Sequence, residues 1–151
     1  MTAALVSFFH LLALAVGLPA IHLRAKFLRQ PLDAAGLQRV FKADLFWAIA
    51  AVLWLATGPW RAFSSLEKGT AFYMGTWLFH AKLGLFVLIL LLELVPMVAL
   101  MRWRAAVRAG RAPNTSNART LAVLSHLELT CVVLAALAAS FVAHGFGQRA
   151  G

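Results

Sequence analysis

Four long apolar runs, each nearly free of charge, constrain this chain more than any other feature. Crossing ~30 Å of hydrocarbon takes about 20 mostly apolar residues at 1.5 Å rise each. Segments 3–22, 41–60, 72–101 and 120–143 reach that length. In lipid only helices and closed barrels satisfy their own backbone groups, and these runs lack the alternation of barrel strands. The expected fold class is therefore all-α: an integral-membrane four-helix up-down-up-down bundle, a single domain over residues 1–151. Composition supports this. The chain is 62% hydrophobic and 13% charged, whereas a soluble domain has roughly 45–50% apolar and about 25% charged residues. So little charge cannot cover a water-facing surface, which excludes a disordered chain and a nucleic-acid-binding domain. Met1 to Ile21 carries no charge, and the first basic residues follow the apolar run. A signal peptide has the opposite order, so the first run reads as an uncleaved span.

Lys and Arg number 14 against 5 Asp and Glu, for a net charge of +9. Ten of the basic residues fall in the first and third connections: Arg24, Lys26, Arg29, Arg39, Lys42, Arg102, Arg104, Arg108, Arg111 and Arg119. Arg61, Lys68 and Arg149 lie on the other side, and Lys82 lies inside the third run. Basic loops stay cytoplasmic, so this asymmetry predicts a bacterial inner-membrane protein with both termini and the 61–70 connection periplasmic. Cys131, the single cysteine, allows no intrachain disulfide and reads as a packing residue. The stretch Gln30 to Gly36 reads as a turn leading into a short amphipathic helix that becomes the second span. No nucleophile–base motif, phosphate loop or zinc spacing occurs.

Ionisable groups in a bilayer cost at least ~2.5–3.5 kcal/mol each, so they turn inward and tend to be functional. Here they are His10, His80, Lys82, Glu93, His126 and Glu128, with His22, Asp44 and His144 near the edges. His10 lies seven residues beyond Ala3 and His80 seven beyond Tyr73. Both runs have the same direction, so the imidazoles sit at similar depth, roughly 10 Å in. Between diagonal helices they could ligate a b-type haem axially, with Arg61, Lys68 or Lys82 facing the propionates. The simpler alternative is that each imidazole hydrogen-bonds a neighbouring helix. Lys82 and Glu93 share a helix face but lie ~16 Å apart, so each needs another partner. For Glu93 the choices are Glu128 or the region of Asp44; for Lys82, Glu67 or a ligand carboxylate. His22 and His126 lie near the basic side, where His22 reads as interfacial. Glu67 could pair with Arg61 or Lys68, or bind a substrate.

Two resemblances bear on function. From Ala43-Asp44-Leu45 through Gly58, Arg61, Glu67-Lys68-Gly69, Phe72-Tyr73, Lys82 and Pro96 to Arg102-Trp103-Arg104, the chain resembles a bacterial family of small four-helix inner-membrane proteins, which brings no function with it. More distantly, His10 and the run Trp77-Leu78-Phe79-His80-Ala81-Lys82-Leu83 resemble HemJ, the membrane protoporphyrinogen oxidase, and its CopD-like relatives. That resemblance implies His10 as a haem ligand, with His80 and Lys82 lining the cofactor or substrate site. The chain departs from the HemJ pattern at Gly17 and Pro19 and at residues 126–130.

Two functions are therefore expected as alternatives. One is a haem b protein in electron transfer or HemJ-like porphyrinogen oxidation, with a redox partner or porphyrin as its counterpart and Lys82 as the catalytic residue. The other is a non-enzymatic membrane subunit, or a small-solute or ion-handling protein, with Lys82, Glu93 and Glu128 along a polar path. Whether Glu93 and Glu128 are functional or structural stays open, as does assembly into a homo-oligomer or larger membrane complex.

Overall fold

The computed structural model describes residues 1–63 and 75–147, with backbone alone for 61–63. Among these residues are four helices, α1 (Thr2–Phe27), α2 (Ala34–Phe63), α3 (Trp77–Arg108) and α4 (Ala118–Ala143). All four are long and apolar enough to cross a membrane. The protein is an all-α membrane bundle, and its exposed apolar side chains, among them Leu5, Phe8, Val52, Leu91 and Leu137, face the lipid.

The helices reach beyond the apolar runs at one end. α2 begins at Ala34, where the Asp33 carboxylate accepts the Gly36 N–H at 2.7 Å, an N-cap that satisfies one of the otherwise orphaned donors. Gly36 is required there, because a Cβ would lie 2.1 Å from the Pro31 carbonyl oxygen. The expected amphipathic segment is thus continuous with the span. α3 likewise continues to Arg108. The start expected for this span at residue 72 lies outside the described residues.

The closely packed helix pairs are α1–α2, α3–α4 and α1–α4. Gly17 allows the first of these: a Cβ there would lie 3.0 Å from Ala50 Cβ and 3.1 Å from Trp54. In a simple up-down bundle α2 and α3 would also pack closely. Here long side chains fill that gap instead, with Trp47 reaching Glu93 and Arg104 reaching Asp44 and the Phe41 carbonyl.

The interior is layered. Leu28, Leu37, Val40, Leu100, Trp103, Leu121 and Ala122 belong to one apolar cluster at the basic end, the end rich in Lys and Arg. Ala20, Ile21, Trp47, Ile89, Cys131 and Val132 form another, deeper cluster. Between these two clusters each helix contributes an inward polar side chain: Arg24 from α1, Asp44 from α2, Glu93 from α3, and Ser125 and Glu128 from α4. That intervening layer is the site.

Candidate functional site

Arg24 is fully buried at the centre of the layer. It extends the inward stripe of Ala13, Gly17 and Ala20 on α1, whose small side chains let the other helices close around it. A guanidinium has five N–H donors and no acceptor, and all five are used. Nε donates to Ser125 Oγ at 3.0 Å. Nη1 donates to Asp44 Oδ1 at 2.8 Å and to Glu93 Oε1 at 2.9 Å. Nη2 donates to Glu93 Oε2 at 2.8 Å and to Glu128 Oε2 at 2.7 Å. Glu93 is therefore held by a two-pronged grip, the strong geometry for Arg and carboxylate. One cation on α1 binds acceptors from α2, α3 and α4 together.

The surroundings complete the arrangement. Trp47 Nε1 donates to Glu93 Oε2 at 2.9 Å, and the Arg24 Cζ stands 5.9 Å from the Trp47 ring centre. The Ser125 hydroxyl donates to the Leu121 carbonyl, so its oxygen is oriented to accept from Arg24. Arg104, stacked 5.0 Å from the centre of the Phe41 ring, donates to Asp44 Oδ2 at 2.7 Å.

The charges do not balance. Asp44, Glu93 and Glu128 supply three carboxylates, against the guanidiniums of Arg24 and Arg104. Fully ionised, the layer carries one excess negative charge, and a buried net charge is expensive. The imbalance has a location. Glu128 has no exposed surface, and its Oε1 has no hydrogen-bond partner. Side-chain exposure rises from 0% at Glu128 through 9% at Asp44 to 20% at Glu93. Glu93 and Glu128 accept from the same nitrogen, so they stand within one guanidinium's reach of each other.

The sequence marks Glu93 and Glu128 by the cost of their placement, and offers Glu128 or the region of Asp44 as the partner of Glu93. Charge counting groups Arg24 and Arg104 with the loop charges, and the structure overturns that assignment: Arg24 is buried inside α1, and Arg104 on α3 reaches Asp44. Both lie near the end of an apolar run, where a snorkelling side chain and a buried one look alike. The available signal was the spacing of Arg24 from Ala13, Gly17 and Ala20.

The other predicted residues lie toward the opposite end. His10 is half-buried, and its Nδ1 is 2.8 Å from Thr57 Oγ1 on α2, so a hydrogen bond to a neighbouring helix is present for this ring. His80 is exposed on α3, its ring centre 6.1 Å from that of Phe79, and Lys82 is half-buried one half-turn on. α1 and α3, which carry the two imidazoles, are not a closely packed pair. The side chains of Arg61, Lys68 and Glu67 lie outside the described residues. The structure does bring His22 and His126 together, with ring centres 6.5 Å apart. Among the described residues, no group of three His, Cys, Asp or Glu is placed to hold a metal ion; the three carboxylates of the layer enclose a guanidinium.

Fold and site define a class: a polytopic membrane bundle whose four helices meet at one buried ionic layer. The chain belongs to the family described as "Predicted membrane protein (DUF2214)", which matches residues 2–147. No curated protein and no solved structure matches it.

Proposed function

We propose that this is an ion-handling membrane protein and that the ion is a proton, taken up and released by the Arg24 layer. The observation that carries the reading is the excess carboxylate together with the buried, unpartnered Oε1 of Glu128. One proton on this carboxyl removes the excess charge. A metal cation would need room for its ligand shell and would face the repulsion of Arg24, whereas a proton needs neither. The groups facing Glu128 and its neighbours are Arg24 from α1, Asp44 from α2, and Glu93 and Arg104 from α3. Glu93, the most exposed of the carboxylates, is the exchange partner. A proton leaving Glu93 for Glu128 breaks one O–H bond and forms another, and leaves the charge of the layer unchanged. Apolar clusters on both sides keep water from short-circuiting the step. Intramembrane carboxylates in pumps and transporters serve as such relays. The excess of Lys and Arg puts the basic end in the cytoplasm of a bacterial inner membrane and both termini in the periplasm.

Purified protein in liposomes with a pH-sensitive dye inside tests this reading. An imposed pH gradient is expected to dissipate faster with the wild type than with empty liposomes, and Glu128→Gln is expected to abolish the difference while retaining the fold. Equal rates for wild type and variant contradict the proposal.

A second reading, in which His10 and His80 would hold a b-type haem, is favoured by one observation. The Thr57 hydroxyl donates to the Leu53 carbonyl at 2.6 Å, so its oxygen accepts from His10 and fixes the proton on Nδ1. That tautomer leaves Nε2 basic, the form in which histidine ligates iron, with the other nitrogen held by an outer partner. In this reading Arg61 and Lys68 would supply cations for the propionates and Lys82 would serve the substrate. The haem would supply one-electron chemistry, as electron carrier or in HemJ-like porphyrinogen oxidation with a redox partner or porphyrin. A Soret band in protein purified from haem-replete cells, lost in both His10→Ala and His80→Ala, supports it; a colourless preparation removes it.

A further inference from the structure

A second site lies at the basic end, on the outer flank of α3. After Arg108 the chain turns at Gly110, whose φ is +67°. The turn is held by Gly110 N–H to Val107 O at 3.0 Å and Arg111 N–H to Ala106 O at 2.9 Å. Ala118, the first residue of α4, already belongs to the core cluster of Ala99, Leu100 and Trp103. The connection must therefore descend beside α3 by about two turns before α4 begins, or ~10–13 Å along the axis.

Between this descending segment and α3 is a cavity of about 590 Å³, within the ~300–1,000 Å³ range of ordinary ligand sites. Its wall is graded along the membrane normal. Leu94, Val95 and Val98 line the deeper part, and Arg102, Asn114 and Asn117 line the part nearer the basic end. The polar groups are available for a ligand. Arg102 makes no ion pair among the described residues. Asn117 caps α4 without a side-chain hydrogen bond. Asn114 Oδ1 accepts the Ser116 N–H at 3.0 Å, which leaves its amide N–H groups as donors. No acidic side chain lines the cavity among the described residues.

We propose that this groove binds one anionic phospholipid. The phosphodiester faces the Arg102 guanidinium, the Asn114 and Asn117 amides donate to phosphate and glycerol oxygens, and an acyl chain lies along Leu94, Val95 and Val98. A zwitterionic lipid lacks a partner here, because no carboxylate is present to meet its ammonium group. Basic pockets beside transmembrane helices recognise headgroups by this combination of charge and donors. The site is separate from the Arg24 layer, and its failure would leave the proton reading untouched.

Native mass spectrometry of the purified protein, titrated with phosphatidylglycerol or phosphatidylcholine, tests the proposal. Wild type is expected to retain one phosphatidylglycerol in preference to phosphatidylcholine. Arg102→Ala is expected to weaken that retention by about fivefold, the effect of one basic contact at a membrane surface, and Arg102→Lys to restore part of it. Arg108→Ala, outside the groove, is expected to leave it unchanged. Excess glycerol 3-phosphate is expected not to displace the lipid, because it lacks the acyl chain. Equal retention of the two lipids, an Arg102→Ala protein that binds like wild type, equal losses in both alanine variants, or displacement by glycerol 3-phosphate would overturn it.

Discussion

The two halves of this bundle both place ionisable groups inside the span, and they hold them differently. Toward the basic end, one guanidinium is enclosed by acceptors from three other helices, and apolar clusters seal it on two sides. Toward the opposite end His10 meets the Thr57 hydroxyl on α2, His80 is exposed, and Lys82 is half-buried. The basic half is therefore one electrostatic unit, in which removing any member changes the charge felt by the rest. The other half is a set of local contacts. Coupled energetics belong where partners come from separate helices and water is absent, because only there do charges interact weakly screened.

The sharpest way to break the contrast is Arg24→Gln. It leaves three carboxylates facing one another across helices, and breaking a buried pair costs about 3–5 kcal/mol. At ~2–4 °C per kcal/mol for a chain of this size, the thermal transition in detergent is expected to fall by roughly 6–20 °C. Arg24→Lys is expected to recover only part of this, because an ammonium has three donors for five acceptors. An unchanged transition in Arg24→Gln would show that the layer does not hold the helices together.

Gly17→Leu probes the α1–α2 contact between the two halves. The added side chain meets Ala50 and Trp54, and overpacking of this kind costs about 1–3 kcal/mol. An intermediate loss of thermal stability is expected, without loss of the ionic contacts. The smallest effect is expected from Thr57→Val in the opposite half. It removes one neutral hydrogen bond to His10, worth about 0.5–1.5 kcal/mol. A loss as large as that of Arg24→Gln would erase the contrast between the halves.

The helices were legible because hydropathy and span length are properties of a run of residues and need no partner. Their extensions to Ala34 and Arg108 were less so, since amphipathic turns beyond the hydrocarbon carry loop-like charge. At the site, Glu93 and Glu128 stood out because carboxylates in apolar runs are rare on energetic grounds. Arg24 did not, because three residues from a helix end it reads as a charge that reaches water. Depth can be counted from sequence, as for His10 and His80. The neighbour each ring faces depends on helix rotation and register, which the apolar periodicity of lipid-facing helices does not encode. The same limit hid the approach of His22 to His126 and of Arg104 to Asp44.

Infrared difference spectroscopy of the carboxyl region tests the central claim most directly. At neutral pH the wild-type protein is expected to show the C=O stretch of one protonated, buried carboxylic acid, absent from Glu128→Gln and retained in Asp33→Asn. Three fully ionised carboxylates in the wild type, with no such band, would contradict a proton held in the Arg24 layer.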